Sequence, residues 1–475
     1  MRRLVPAEYG ILGVVLLVAA SFGAGAGWQV LAPAVVAVLT TVAWSFLRRR
    51  PYRLLLVDVW AAAFAYLYAS DLVLTKEGVL AIFGAEVTGD AETFIVASFA
   101  ASLIGAAGFD RWAQGRVSGA AMPAHELRRR PAPGLAALLG GTSLVVLAFV
   151  FWVITPAQLF ATARVERSFS DTATRPLLIA ALVMQPILAA YVTRRYRERG
   201  VILLVAWAVA PLSALALYAS GTRFYLGFML CGVLHYVLQP LAPMSPRRLA
   251  AIACAAFAFL ALQGTMRASR TAGLVDFDAA ELAGSLARPE TFLSSEGLLR
   301  VNAWVHEKRA WENAARPFEN AFILYWWVPR SLWAGKPAME GRRLIEDVMD
   351  EGYFNANHSV AGGFAMPALL DFGPWLGVLG ALVYGAGLGA VQRFAWRHWQ
   401  LADPASVVVS LAAFGVFFTA RGLHTSLIFV SLCLLWCLPL LLIERRAAGR
   451  SRVARTRPIA ASVRASGRVV RRAYV

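Results

Sequence analysis

The sequence predicts an all-α polytopic membrane protein with about 12 transmembrane helices and one large loop on the outer side. Three observations carry that expectation. The 475-residue chain is 59% hydrophobic and only 16% charged, with a mean hydropathy of +0.59. A soluble chain of this length needs far more polar surface, so lipid is the solvent for most of it. Apolar runs long enough to cross about 30 Å of hydrocarbon recur along the chain. Basic residues gather in short clusters between those runs.

In order, the expected spans centre on residues 9–25, 28–47, 54–72, 92–110, 134–155, 176–193, 201–219, 222–240, 249–266, 373–392, 404–421 and 425–443. A short apolar piece at 359–371 reads as a re-entrant or broken segment leading into the tenth span. Met1-Arg-Arg-Leu-Val-Pro precedes an apolar run that could pass for a signal peptide. Another span follows at once, so the run reads as the first transmembrane helix.

Orientation follows from charge. With 12 spans, Arg2-Arg3, Arg48 to Arg53, Arg111 to Arg130, Arg194 to Arg199, Arg247-Arg248, Arg393 to His398 and the tail from Arg445 all fall on one side. That side is cytoplasmic by the positive-inside rule, with both termini on it. The net charge of +18 is therefore a topology signature, and it excludes a nucleic-acid-binding face. The stretch Asp71 to Glu92, with Lys76, Glu77, Glu86, Asp90 and Glu92, reads as an acidic outer loop. The resulting division is a bundle of about nine helices over 1–266, a large periplasmic loop with short helices over 267–372, three spans over 373–443 and a basic, lipid-attracted tail over 444–475.

Several chemistries lack their sequence signatures. No Gly-Lys-Ser/Thr phosphate loop, His-Glu-x-x-His, Cys-x-x-Cys or nucleophile elbow occurs. Cys231, Cys254, Cys433 and Cys437 all lie in apolar spans and read as packing residues. No cofactor and no metal is expected.

A second set of cations falls on the outer side. Arg223 follows Ser220-Gly-Thr at a span end, Arg267 and Arg270 lie just beyond the ninth span, and Arg421 and His424 share a tight outer turn. Arg330 and Lys336 come from the loop, where Pro337 fixes the turn after Lys336. Charges placed where the topology rule disfavours them call for an anionic ligand at the outer face, and arginine's planar fork matches phosphate oxygens. Snorkelling to headgroups is the plainer alternative.

For acid–base work the loop offers Glu296, His306, Glu307, Asp347, His358 and Asp371. His358, just before the chain re-enters the membrane, is the leading general base, and Glu296 is the other catalytic candidate. His306 and His398 read as exposed surface residues. Tyr325-Trp326-Trp327 reads as an interfacial aromatic belt, with sugar stacking as the sharper alternative. Nucleotide donors are absent outside the cell, so synthesis there needs a substrate that is already activated, such as a lipid-linked pyrophosphate.

The run Pro329-Arg330-x-x-Trp333-x-x-Lys336-Pro337 resembles the Pro-Arg-x-x-Trp-x-x-Lys-Pro stretch of O-antigen polymerases and related repeat-unit polymerases (Wzy-type). Ser220-Gly-Thr-Arg223 looks like that family's Gly-Ser-Arg motif, and Asp371-Phe-Gly373-x-x-Gly377 like its Asn/Asp-Phe-Gly-x-x-Gly ending. The motifs cover roughly residues 200–390. One departure stands out. Family members often carry a Gly-Glu pair before the Phe-Gly, whereas this chain reads Phe364-Ala-Met-Pro367 there.

The resemblance implies a GT-C-like, inverting, metal-independent glycosyltransferase of a bacterial inner membrane, working at the periplasmic face. Its substrate would be an oligosaccharide on undecaprenyl pyrophosphate, transferred to a second lipid-linked repeat unit. Membrane lipid and a chain-length regulator are the other implied partners. His358 or Glu296 would act as base, and Arg223, Arg267, Arg270, Arg330, Lys336, Arg421 and His424 would hold pyrophosphate and glycan. Two alternatives stay open: an O-antigen ligase-like transferase, and a transporter or flippase of lipid-linked sugars.

Overall fold

The computed structural model describes residues 4–23, 30–49, 53–74, 76–114, 133–152, 175–196, 201–219, 297–312, 362–399 and 430–443, with isolated positions between them. These residues are helical, and no strand occurs among them. The helices are α1 (Ala7–Gly23), α2 (Leu31–Arg48), α3 (Leu56–Leu74), α4 (Lys76–Ala113), α5 (Pro133–Trp152), α6 (Arg175–Tyr196), α7 (Val201–Ala219), α8 (Leu298–Glu307) and α9 (Met366–Trp399). The last, α10, covers Val430–Ile443.

Among the described residues, four helices are long and apolar enough to cross a membrane: Leu31–Arg48, Lys76–Ala113, Gly134–Phe151 and Met366–Trp396. Five shorter apolar helices accompany them, Ala7–Phe22, Leu56–Ala69, Leu178–Thr193, Val201–Leu217 and Val430–Ile443. The protein is thus all-α, with a set of apolar helices compatible with membrane insertion. The expected spans at 222–240, 249–266 and 404–421 fall mostly outside the described residues, as does the basic tail.

Backbone-to-backbone packing joins α4 to α9. A Cβ on Gly105 would overlap the Leu382 carbonyl oxygen of α9, and one on Gly385 would overlap the Ser102 carbonyl oxygen of α4. Gly389 meets the Ala106 backbone in the same way. Gly385-x-x-x-Gly389 lets two helices approach without side chains between them, which is how apolar helices gain dispersion energy where lipid supplies no hydrophobic drive.

Packing does not follow chain order. One hydrophobic cluster joins α1 to α4 with α8 and α9, around Trp60, Phe64 and Phe99. A second joins α5, α6, α7 and α10, including Cys433 and Cys437. Those two thiols are buried and free, as packing residues would be, whereas Cys254 is exposed.

The stretch 71–92, expected as an outer loop, is largely helix. Turning begins at Lys76 and the helix breaks at Gly84, where φ is 74° and ψ is 176°. Two forces override the polar composition. Val79 and Phe83 bury their side chains, and Lys76 pairs with the buried Glu92 at 3.1 Å, folding the short arm against the span below. The apolar piece leading into the tenth span is also helical. In α9 an arm starting at Met366 meets a break at Gly373, where φ is 76° and ψ is −179°.

Candidate functional site

The buried charges of the first cluster sort to two ends. Asp58 and Asp71 stand at opposite ends of α3, about 20 Å apart at 1.5 Å per residue. Glu92 and Asp110 are separated along α4 in the same sense.

At the Asp58 end the two buried carboxylates are paired. Asp58 accepts hydrogen bonds from Arg49 Nη2 at 2.7 Å, Tyr9 Oη at 2.6 Å and the Leu55 N–H at 2.8 Å. Asp110 accepts from the Leu4 and Val5 N–H groups and forms an ion pair with Arg393 at 2.9 Å. Gln392 of α9 accepts from the Leu56 N–H, and Arg53 lies over the Trp396 ring at 4.4 Å. The clusters expected to be cytoplasmic, Arg48 to Arg53 and Arg393 onward, meet at this end. Its chemistry is cross-linking of helix ends, because Asp58 and Asp110 each have an arginine and backbone donors against them.

The opposite end gathers the loop. Helix α8 is amphipathic, with Leu298, Leu299, Val301, Asn302 and Val305 buried, and it lies against α3 and α4. Its first turn has no cap from its own Gly297, which adopts φ 58°. Instead the Asp71 carboxylate at the end of α3 accepts the Leu299 N–H at 2.9 Å. A carboxylate there satisfies an orphan donor and complements the positive end of the helix dipole.

Asn302, also buried, donates to the Gly362 carbonyl at 3.0 Å and to the Leu298 carbonyl at 2.8 Å. Gly363, at φ 100°, forms an isolated parallel bridge with Gly422. A Cβ there would meet the Tyr68 hydroxyl. Beside it, the Tyr384 and Thr419 hydroxyls are 2.5 Å apart. The end of α3, the helix α8, the stretch at Gly362 and Gly363 and the stretch at Thr419 and Gly422 therefore converge on one polar cluster.

His306 departs from the sequence expectation of an exposed histidine. Its ring is packed 5.7 Å from Phe94 and 5.2 Å from Trp311, and its Nε2 is buried with no hydrogen-bond partner. The apolar face of α8 draws the ring inward with it. Burial lowers its pKa to about 4, so the imidazole is neutral at ordinary pH. His398 lies in α9, but its side chain is outside the described residues.

The nine predicted site residues, Arg223, Arg267, Arg270, Glu296, Arg330, Lys336, His358, Arg421 and His424, all lie outside the described residues. So does Asp347. Of the other acid–base candidates, Glu307 is exposed and Asp371 is half-buried. Within the resemblance motif, Trp333 is 39% exposed and stands edge-on to Tyr325 at 5.2 Å.

Sequence reasoning missed Asp71 and Asn302 as positioning groups. The signal for α8 was present, since Leu298, Leu299, Val301, Asn302 and Val305 follow helical spacing. No local pattern marks Asp71 as the partner of that helix. Among the described residues no three His, Cys, Asp or Glu side chains are grouped to hold a metal ion. Compared with known proteins, the chain matches no family model, no curated protein and no solved structure.

Proposed function

We propose that this chain is a membrane glycosyltransferase of the repeat-unit polymerase type, with about 12 spans in a GT-C-like arrangement and its active site at the outer face. Support comes from the Gly363–Gly422 bridge. It joins the segment that follows His358 to the turn that carries Arg421 and His424, so the expected base and two expected phosphate-binding cations belong to neighbouring stretches of chain. The large loop is also integrated into the bundle through α8, as a platform for chemistry requires.

In this reading the donor is an oligosaccharide on a polyprenyl pyrophosphate, and the acceptor is a hydroxyl of a second lipid-linked unit. His358, or Glu296, takes the hydroxyl proton as the oxygen attacks the anomeric carbon. The bond to pyrophosphate breaks in line, with inversion, and the lipid pyrophosphate leaves carrying the negative charge. Arg223, Arg267, Arg270, Arg330, Lys336, Arg421 and His424 stabilise that charge as it develops. The loop aromatics near Trp333 offer faces for sugar rings.

A transporter places ionisable groups near the bilayer midplane, whereas Asp58 stands in the first turn of α3. It is fully engaged by Arg49, Tyr9 and the Leu55 N–H at the end remote from the loop. Midplane ion sites in transporters leave such groups available to cargo.

The deciding experiment is gene deletion followed by gel and mass-spectrometric analysis of surface glycan and lipid-linked intermediates. Accumulated single repeat units with long chains lost supports the polymerase. Long chains retained on the carrier but not attached to a final acceptor points to a ligase. Unchanged glycan overturns both.

A further inference from the structure

Four helix termini meet at the Asp58 end. There α2 finishes at Arg48, α3 starts at Leu56, α4 finishes at Ala113 and α9 finishes at Trp399. The Arg49–Asp58 and Arg393–Asp110 ion pairs tie these termini to one level. Apolar helices that stop together do so where hydrocarbon gives way to lipid headgroups. Exposed Trp44 and Trp112 near these ends suit that level.

Ion pairing among the described residues leaves two arginines over at this end. Arg48 pairs with Glu8, Arg49 with Asp58 and Arg393 with Asp110. Of the two that remain, Arg111 is exposed and its charge is hydrated. Arg53 is half-buried, and its guanidinium is held over the Trp396 ring at 4.4 Å. Its Nε is covered and has no acceptor. Stacking sets the plane of the guanidinium and leaves its N–H fork for an acceptor in that plane.

Two further donors belong to the same connection between α2 and α3. The Gln392 side chain is 0% exposed; its Oε1 accepts the Leu56 N–H at 2.6 Å, and its Nε2 is buried without an acceptor. Trp396, under Arg53, follows one turn later on the same face of α9. Arg49 gives Nη2 to Asp58 and Nε to the Ser45 carbonyl, while its Nη1 is buried without an acceptor. Each such donor gives up hydration with nothing in return. Asp58 adds no repulsion for an anion, because Arg49 offsets its charge and Tyr9, Arg49 and the Leu55 N–H occupy its oxygens. The local excess is the Arg53 cation beside the unsatisfied donors. A phosphodiester, with one negative charge and several oxygens in fork geometry, matches that set.

We propose that residues 49–56, with Gln392 and Trp396 of α9, bind the phosphate of an anionic phospholipid from the adjoining leaflet, Arg53 being its principal contact. Partial exposure of Arg53 and Arg49 gives a headgroup access, and Gln392 forms the floor of the site. Exposed Trp44 and Leu47 of α2 offer apolar surface to the acyl chains. The bound lipid joins α2, α3 and α9 at the end remote from the loop. This site does not rest on the polymerase reading.

The test uses full-length protein purified in detergent and washed of lipid. Native mass spectrometry reads the first bound molecule of dioleoyl phosphatidylglycerol or dioleoyl phosphatidylcholine. Phosphatidylglycerol is expected to bind about tenfold more tightly, with the preference lost in Arg53→Gln and kept in Arg111→Gln. Equal binding of the two lipids, or a preference that survives Arg53→Gln, overturns the site. Equal loss in both variants also overturns it, since surface charge at large then explains the preference. Inorganic phosphate in place of lipid tests the other source of the same chemistry. Phosphate binding that needs Arg53, without a preference for phosphatidylglycerol, overturns the lipid assignment. Should Arg53→Gln protein fail to accumulate, Arg53→Lys replaces it, keeping the charge without the planar fork. A phosphatidylglycerol preference in Arg53→Lys equal to that of the unsubstituted protein then overturns the proposal.

Discussion

The Asp71 carboxylate and the Leu299 N–H lie 2.9 Å apart, although 228 residues separate them in the chain. The contact ties the C-terminal end of α3 to the first turn of α8. Removing the carboxylate is therefore expected to loosen the loop without unfolding the spans. In Asp71→Ala, amide hydrogen exchange over residues 298–307 should rise by about tenfold, a loss of about 1.4 kcal/mol, as for a hydrogen bond to a charged acceptor. Exchange within α4 below Gly84 should stay unchanged.

The α4–α9 seam should discriminate between glycines two residues apart. A Cβ on Gly385 would strike the Ser102 backbone, whereas one on Gly387 meets nothing within 4 Å. Gly385→Ala should cost about 1–3 kcal/mol through overpacking and lower the unfolding temperature in detergent. Gly387→Ala should be neutral or slightly stabilising, since alanine is the better helix former. Equal effects of the two substitutions would refute the seam.

At the other end, Arg393 neutralises a carboxylate that is 1% exposed. Arg393→Ala leaves Asp110 buried with two backbone donors and no cation. A loss of about 3–5 kcal/mol is expected, read as poor accumulation or a lower melting temperature. Pairing it with Asp110→Asn should recover part of that loss, since the uncompensated charge is then gone.

His306 sets a pH dependence for the loop. Its pKa is lowered to about 4 when docked, against about 6.5 when hydrated. The undocked state therefore binds the proton more readily, and docking weakens as pH falls from about 6.5 toward 4. Above 6.5 His306 is neutral in both states and its own contribution is constant. Glu92 is paired with Lys76 and Glu312 with Arg309, whereas burial raises the Asp71 carboxyl to about 7, so Asp71 titrates in the same window and in the opposite sense. Hydrogen exchange of α8 at pH 7 and pH 5, measured in an Asp71→Asn background, should show the change, and adding His306→Phe should remove it.

The polymerase reading predicts loss of long glycan chains in Arg223→Ala and Arg421→Ala, with near-normal protein levels in the membrane. Normal chain length in both variants would exclude a pyrophosphate site built on these arginines.

Much of the helical framework was legible in the chain. Spans at 9–25, 28–47, 54–72 and 134–155 correspond closely to α1, α2, α3 and α5, because twenty apolar residues in lipid must satisfy their own backbone groups and a helix does so locally. The break before the tenth span was legible as well, from the short apolar piece ahead of Gly373. The stretch around Lys76 was misjudged as loop because its charges suggest solvent. Its charge pairing with Glu92 and its two buried apolar residues depend on what lies beside it.

By itself, then, the sequence determined that this is an all-helical chain suited to lipid and where its longest apolar helices run. Hydropathy and helical periodicity are properties of consecutive residues, so they can be read without a fold. The tertiary structure alone decided that Asp71 caps the loop helix, that His306 is half-buried between Phe94 and Trp311, that Gly385 touches Ser102, and that Gly363 pairs with Gly422. Each of those depends on which distant segments meet, and no stretch of neighbouring residues carries that information.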